Sequence, residues 1–135
     1  MKVLAFLLIA CFAVAGTNDA RLKEVHTVFV TGNNQAAEKI RSEMRRDTDK
    51  GKGCMVLVTN ADKADATFDV ATDSNLTRNA VMRERDWLVN GTLTTKAGDI
   101  IWSSHAQFSD APMMSGGDIA GQILYRHLRA DACGK

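Results

Sequence analysis

The sequence contains none of the short motifs that identify the common enzyme and metal sites. There is no G-x-S-x-G nucleophile turn, no H-E-x-x-H zinc motif, no C-x-x-C pair and no G-x-x-x-x-G-K-[ST] phosphate loop. The histidines His26, His105 and His127 are not spaced as metal ligands, even with Asp65 or Asp69 as further donors. We therefore expect no metal site and no cofactor, and a binding function is favoured over an enzymatic one.

The chain also lacks an excess of charge of either sign. It has 17 lysines and arginines against 16 aspartates and glutamates, and the basic residues between 41 and 52 are interleaved with acidic ones, as at a solvated helix end. Proteins that bind nucleic acid or anionic membranes do so chiefly through an excess of Lys and Arg. This balance argues against nucleic acid as a partner, and a membrane is expected only if the protein is lipidated.

Proline is almost absent, and the chain has no internal repeats, low-complexity segments or obvious linker. A length of 135 residues accommodates one domain of ordinary size. The hydrophobic content of 45% is that of a globular protein. We expect a single globular domain over residues 17–135.

A long hydrophobic run lies at the amino terminus, in "MKVLAFLLIACFAVAG". Lys2 precedes an apolar stretch that ends in small residues, which is the layout of a secretory signal peptide and is too short for a stable membrane anchor. Residues 1–16 are predicted to be a signal peptide that is cleaved near Ala15 or Gly16. The mature protein is expected to be exported to the periplasm or the extracellular space.

The same residues allow a second interpretation, in which Cys11 is lipidated. "LIAC" resembles the bacterial lipobox, whose cysteine becomes the lipidated first residue of the mature protein. Few residues precede Cys11 for a signal of this kind, and the apolar run continues beyond it to Val14. Soluble export is favoured, and membrane anchoring through Cys11 is the alternative.

Cysteine is scarce in the mature chain, where Cys54 and Cys133 are the two thiols. Two cysteines in an exported domain are expected to pair, because the compartment is oxidising. Neither has a histidine close in sequence that could activate it as a nucleophile. A disulfide between Cys54 and Cys133 is predicted.

Apolar periodicity predicts two long helices and five strands. The first helix runs from Gln35 to Asp47, and Asp118 is expected to cap the second, in which Gly117 and Gly121 allow close packing on the sheet. "CMVLVT" has the pattern of a central strand covered on both faces, and "DSNLTRN" is typical of a mobile loop. The strands are predicted at Glu24–Val30, Cys54–Thr59, Thr67–Thr72, Val81–Thr95 and within Ala97–Ser109.

These elements predict a fold. A strand, a helix and a strand of this length form a right-handed βαβ unit with parallel pairing, which an antiparallel meander and a last helix complete. The expected fold class is α/β (α+β), a two-layer sandwich with a mixed five-stranded sheet. The elements are expected to follow one another along the chain in the order β-α-β-β-β-β-α.

"AGDIIWSSHAQFS" combines a tryptophan, a histidine and three serines, which invites a catalytic interpretation. Its polar residues nevertheless fall at alternate positions, as in a half-buried strand, and we interpret the stretch as one. The alternative, a hydrolase or small-ligand binder that uses Ser104, His105 and a distant carboxylate, stays open. The residues expected to face the core are Ile100, Trp102, Ala106 and Phe108.

A pair of carboxylates is the other candidate for acid–base chemistry. Glu84 and Asp86 share one face of a predicted strand, as two catalytic carboxylates could. They alternate with Arg83 and Arg85, however, and mixed exposed charge is common on edge strands. We interpret these residues as the protection of an edge strand against aggregation.

Three segments together resemble a known group of proteins: "KADATFDV", "VNGTLTTKAGDIIWS" and "GGDIAGQILYRHL". Their arrangement is similar to that of small exported bacterial α/β domains related to the TolB amino-terminal and CsgG-like group, which includes periplasmic lipoproteins. The resemblance covers about half of the mature chain. It implies an α/β scaffold or protein-binding role in the cell envelope, often without catalysis, and no site residues are carried over.

We therefore expect a small exported cell-envelope domain that acts as a non-catalytic protein-binding or scaffold module. Its partner is expected to be another envelope protein, bound by docking or strand addition. The surfaces expected to make this contact are the strand Val81–Thr95 and the loop Asp73–Ala80.

Overall fold

The computed structural model describes residues 19–78, 83–109 and 116–134. The predicted signal peptide, with Cys11, Ala15 and Gly16, lies outside the described residues. Short 3-10 turns occur at Ala20–Glu24 and Ala61–Lys63. The longer elements are β1 (Thr27–Thr31), α1 (Gln35–Asp49), β2 (Val56–Leu57), β3 (Ala66–Arg78), β4 (Arg83–Thr95), β5 (Ile100–Ser109) and α2 (Gly116–Cys133).

The strands form one mixed sheet in the order β2-β1-β3-β4-β5. β1 pairs in parallel with β2 and β3, whereas β3, β4 and β5 form an antiparallel meander. Both helices pack on the same face of the sheet, where Phe68, Leu93 and Trp102 share one core with Ile40 and Leu124. The predicted α+β sandwich with a mixed five-stranded sheet is confirmed.

The position of β2 differs from the prediction. The apolar run Cys54–Thr59 predicts a central strand covered on both faces, but the strand comprises Val56–Leu57 alone and lies at the edge of the sheet. Met55 is buried, whereas Val56 is 43% exposed. A short apolar run does not distinguish a central strand from an edge strand that packs on a core with one face, so this prediction is wrong.

The stretch predicted as a mobile loop is strand for most of its length. β3 continues to Arg78, and its 13 residues pair without interruption with those of β4. Polar residues of low strand propensity are held extended here because each one has a partner across the hairpin. Asn79 and Ala80 lie outside the described residues. Since β4 lies between β3 and β5, the strand that carries Glu84 and Asp86 is not the edge strand that was predicted.

The start of α2 also differs from the prediction. The helix begins at Gly116, so Asp118 lies in its first turn and is not its cap. Gly117 packs beside the ring of Trp87 on β4, as expected for contact with the sheet. Gly121 instead faces α1, where an added β-carbon would lie 2.8 Å from the carbonyl oxygen of Ala36. The second glycine therefore serves helix–helix contact.

β5 contains an irregularity that changes which residues face the core. The register shifts beside the Leu93–Trp102 pair, so that Ile101 is an extra residue in the strand. Ile101 and Trp102 are both buried, and Ile100 is 53% exposed. The predicted alternation is correct for Trp102 and Ala106 and wrong for Ile100. Phe108 alternates in step with Ala106 but is 37% exposed, so it is not a core residue.

The predicted disulfide between Cys54 and Cys133 is present. The two α-carbons are 5.5 Å apart, and 79 positions separate the residues in sequence. The bond joins the last residue of α2 to the segment just before β2. The disulfide therefore links the end of α2 covalently to the edge of the sheet that β2 forms.

A buried ion pair links the two helices. Asp47 of α1 is 7% exposed, and its carboxylate oxygen Oδ2 accepts hydrogen bonds from the Tyr125 hydroxyl at 2.6 Å and from Arg129 Nη1 at 2.9 Å. Burial opposes ionisation of Asp47, but the hydrogen bonds from Tyr125 and Arg129 outweigh it and lower the pKa of this carboxyl. Burial and the same contact raise the pKa of the Tyr125 phenol.

Replacing Asp47 by Asn is expected to lower the free energy of unfolding at pH 7 by about 1–3 kcal/mol, because a charged acceptor is lost from two hydrogen bonds. The pKa of Asp47 is lower in the folded chain than its ordinary value of 3.8, so this stabilisation is present above that value and is lost as pH falls through the folded pKa. Urea unfolding of both proteins at neutral and strongly acidic pH measures the effect. Asp49→Asn, exposed on the same helix, is the control, and an equal loss at both pH values would contradict the assignment.

Replacing both Cys54 and Cys133 by Ser is expected to lower the free energy of unfolding by roughly 3–4 kcal/mol, because the unfolded chain is no longer closed into a long loop. Urea unfolding with and without a thiol reductant measures this. The reductant should destabilise the natural chain by a similar amount and leave the double variant unchanged. Identical curves for the natural chain in both conditions would show that the cysteines are unpaired in solution.

Candidate protein-binding face

Neither helix covers the second face of the sheet, which we call the open face. Residues along a strand alternate between the two faces. Val28, Phe68 and Val89 are buried in the core, so their neighbours lie on the opposite side. The open face is formed by Phe29, Thr31, Thr67, Asp69, Ala71, Asp73, Leu88, Asn90, Thr92, Thr94, Ser103, His105 and Gln107.

Small polar side chains form rows across the open face. Asp69 lies between Thr31 and Thr92 in the register, and Thr92 lies opposite Ser103. The Thr31 hydroxyl donates a hydrogen bond to Asp69 Oδ1 at 2.8 Å. Cross-strand pairs of this kind stabilise the sheet and keep hydrogen-bonding groups at its surface.

A depression of about 430 Å³ lies on β4 and β5. Asn90, Gly91 and Thr92 of β4 line it from one side, and Ser103, Ser104 and His105 of β5 line it from the other. Its lining consists of one amide, hydroxyl groups and one imidazole. These groups can bind a polar surface through hydrogen bonds, and they include no carboxylate that could orient the imidazole for catalysis.

The structure separates the two residues of the hydrolase alternative. Ser104 lies opposite Gly91, and His105 lies opposite Asn90. An added β-carbon at Gly91 would collide with Phe68, so the Gly91–Ser104 pair lies on the core side, whereas His105 is exposed on the open face. Because neighbouring residues of a strand project to opposite faces, Ser104 and His105 do not form a nucleophile–base pair.

The open face combines acidic, polar and isolated apolar residues. Asp69 and Asp73 are exposed on it, and none of its residues is Lys or Arg. Leu88 lies among the polar side chains and is 36% exposed. A flat surface of this kind can contact another folded surface, whereas it would enclose little of a small ligand.

The residues considered as metal ligands are used in other ways. Asp65 accepts hydrogen bonds from the backbone amides of His26 and Thr27, which lower the pKa of its carboxyl. Asp69 is paired with Thr31. Within residues 19–78, 83–109 and 116–134, no group of three His, Cys, Asp or Glu side chains could hold a metal ion.

Part of the open face is correctly predicted from the sequence. The predicted contact strand contributes Leu88, Asn90 and Thr92, and the predicted contact loop contributes Asp73 to the open face. The contribution of β1 to this surface was not predicted from the sequence, although the alternation of buried Val28 and Val30 with Thr27, Phe29 and Thr31 in "HTVFVT" could have indicated it. No helix in the described part of the chain is long and apolar enough to span a membrane.

Two solved structures share this fold. A PelC dodecamer from Paraburkholderia phytofirmans, in space group P6, superposes with a TM-score of 0.56 at 15% identity and covers 87% of this chain and 95% of that chain. A single-residue variant of that dodecamer, in space group C2, gives a TM-score of 0.52 at 15% identity and covers 87% and 94%. At this identity the likeness shows the fold alone. No family model and no curated protein matches the sequence.

Replacing His105 by Ala is expected to leave the protein folded and to change no hydrolytic rate, because no carboxylate lines the depression that could orient the imidazole for catalysis. Hydrolysis of a nitrophenyl ester measured against the natural chain checks this. Gln107→Ala, on the same face of the same strand, is the matched control. Ester hydrolysis that disappears in His105→Ala and persists in Gln107→Ala would show that the imidazole is catalytic.

Proposed function

We propose that this chain is an exported, non-catalytic module of the cell envelope that binds a protein partner on its open face. The observation that carries the proposal is that both helices pack on one side of the five-stranded sheet, whereas no helix of the described residues packs on its other side. A regular surface of this kind presents many side chains in fixed positions, which favours docking of another folded surface.

Export is part of the proposal. The leader-like residues 1–16 support it, and so does a disulfide that closes a long loop, since such bonds persist in oxidising compartments. The resemblance to the TolB amino-terminal and CsgG-like group adds the cell envelope as the expected compartment. Anchoring through a lipidated Cys11 would change how the module is held and would leave its binding surface the same.

We propose a second copy of the chain as the first partner to test. Both solved structures of the same fold are described as dodecamers, and closed rings of identical subunits arise when one surface of a protomer docks on a different surface of the next. The open face is a surface of the described chain that a neighbouring copy could cover.

A second candidate function is the binding of a small polar ligand. The depression lined by Asn90, Thr92, Ser103 and His105 favours it, because its volume falls within the range of ligand pockets. Its shallow position on a sheet surface makes it the weaker candidate, since ligand sites usually enclose most of the ligand.

Replacing Ala71 by Arg is expected to abolish self-association, because a long charged side chain in the middle of the open face prevents a second surface from docking. Light scattering during size-exclusion chromatography of the mature, oxidised protein measures the molar mass. Ala97→Arg, exposed in the turn between β4 and β5, is the matched control and should retain the mass of the natural chain.

A natural chain that is monomeric at high concentration contradicts self-association. Pull-down of envelope proteins with the natural chain, Ala71→Arg and Ala97→Arg then tests for a different protein partner. Partners captured equally by all three proteins would contradict the role of the open face.

A further inference from the structure

The connection that follows β1 and the connection that follows β2 pass on opposite faces of the sheet. α1, which joins β1 to β2, packs on the core side with Ile40 and Met44 buried. The segment that joins β2 to β3 crosses β1 on the open face, where the Thr27 hydroxyl donates to the carbonyl oxygen of Lys63 and accepts from the amide of Asp65. In open α/β sheets, a crevice forms at such a switch point beyond the carboxyl ends of the parallel strands, and ligands bind there.

A depression of about 210 Å³ lies at this switch point, between the ends of β1 and β2 and the side of α1. Arg41 and Arg45 line it from successive turns of the helix, and Thr59 lines it just beyond β2. We call this depression the switch-point crevice. Its apolar wall is formed by four strand-end residues, Phe29, Val30, Leu57 and Val58.

The two arginines of the crevice have different surroundings. Arg41 donates hydrogen bonds to the carbonyl oxygens of Val30 and Gly32 at 3.1 and 2.7 Å, and it forms an ion pair with Glu38. These contacts of Arg41 hold α1 against the end of β1. Arg45 is exposed and has no hydrogen-bond or ion-pair partner within the described ranges.

The acidic side chains of α1 form no ion pair with Arg45 in the described structure. Glu38 is paired with Arg41, and Glu43 is paired with Lys39. Asp49, one turn after Arg45, is exposed and makes no ion pair with it. Asp47 is buried and bound by residues of α2. A guanidinium group without a partner thus lies at the rim of an apolar pocket, where it can bind an anion through two parallel hydrogen bonds.

We infer that the switch-point crevice binds a small carboxylate that carries an apolar body. The apolar body packs between Val30 and Leu57, the carboxylate pairs with Arg45, and the Thr59 hydroxyl donates a further hydrogen bond. The volume is below that of typical ligand pockets, so the ligand is about the size of one amino-acid side chain with its carboxylate. A free branched aliphatic acid and the last residue of a peptide share this chemistry.

Isothermal titration calorimetry on the mature, oxidised protein tests the inference. The probes are isocaproate, its uncharged amide, inorganic phosphate, and a short peptide ending in leucine with either a free or an amidated carboxyl terminus. We expect isocaproate to bind with a Kd on the order of 1 mM, as suits a ligand of so few atoms. The amide and phosphate should bind at least about tenfold more weakly, because the amide lacks the negative charge that pairs with Arg45 and phosphate lacks the apolar body.

Two arginine variants locate the site. Arg45→Gln is expected to weaken isocaproate binding by about tenfold or more, since the charged partner is removed. Arg46→Gln, on the adjacent exposed residue of the same helix, should leave it unchanged. Binding of the free peptide and not of the amidated peptide would assign the crevice to peptide carboxyl termini, and binding of isocaproate alone would assign it to free acids.

Three results would overturn the inference: no binding of either carboxylate, equal binding of acid and amide, or equal binding to Arg45→Gln and the natural chain. The inference does not depend on the proposed function of the open face. Ala71→Arg should bind isocaproate like the natural chain, so loss of self-association and loss of carboxylate binding can be told apart.

Discussion

The close approach of α2 to the rest of the molecule depends on two positions that have no side chain, Gly91 and Gly121. A β-carbon at Gly91 would lie 2.7 Å from atoms of both Phe68 and Leu124, and one at Gly121 would lie 2.8 Å from the carbonyl oxygen of Ala36. Real β-carbons do not approach other atoms so closely, so larger residues would force the layers apart. Because α2 packs against the sheet and α1 at once, both helices fit side by side on one face. No helix of the described residues packs on the other face.

The helix layer is further tied together by specific contacts near its ends. Asp47 joins α1 to Tyr125 and Arg129 of α2, the disulfide joins the end of α2 to the segment before β2, and the indole of Trp102 donates a hydrogen bond to Asp131 at 2.8 Å. These contacts link residues that are far apart in sequence. The open face is therefore supported from behind by a packed and cross-linked layer, which suits a surface that binds without rearrangement.

The two candidate surfaces arise from different parts of the topology. The open face results from the placement of both helices on one side, and its polar rows come from the register of β1, β3, β4 and β5. The switch-point crevice results from the crossing of the β2–β3 segment on the opposite side from α1. The dodecameric structures share the fold at 15% identity, and a shared fold alone does not carry a function, so the residues of each surface have to be tested in this chain.

The candidate surfaces could be predicted from the sequence only in part. The alternation of residues in β4 places Trp87, Val89 and Leu93 on one face of the strand, where Val89 and Leu93 are buried in the core, and so places their neighbours on the other side. The sequence could not show that β1 completes the open face, because strand order depends on pairing between distant segments. It also gave no indication that Arg45 is unpaired, since ion pairing on α1 depends on which neighbouring side chains reach each other.

What the sequence alone determined is local or compositional. The spacing of Ala36, Ile40 and Met44 defined α1 and its buried face, the two cysteines of the mature chain defined the disulfide, and the order of strands and helices defined the fold class. Tertiary structure alone decided that the apolar run around Val56 forms an edge strand, that the polar residues after Asp73 extend a hairpin, and that Asp47 is buried. The physical reason is that pairing and burial are set by contacts between residues far apart in the chain, and these override local propensity.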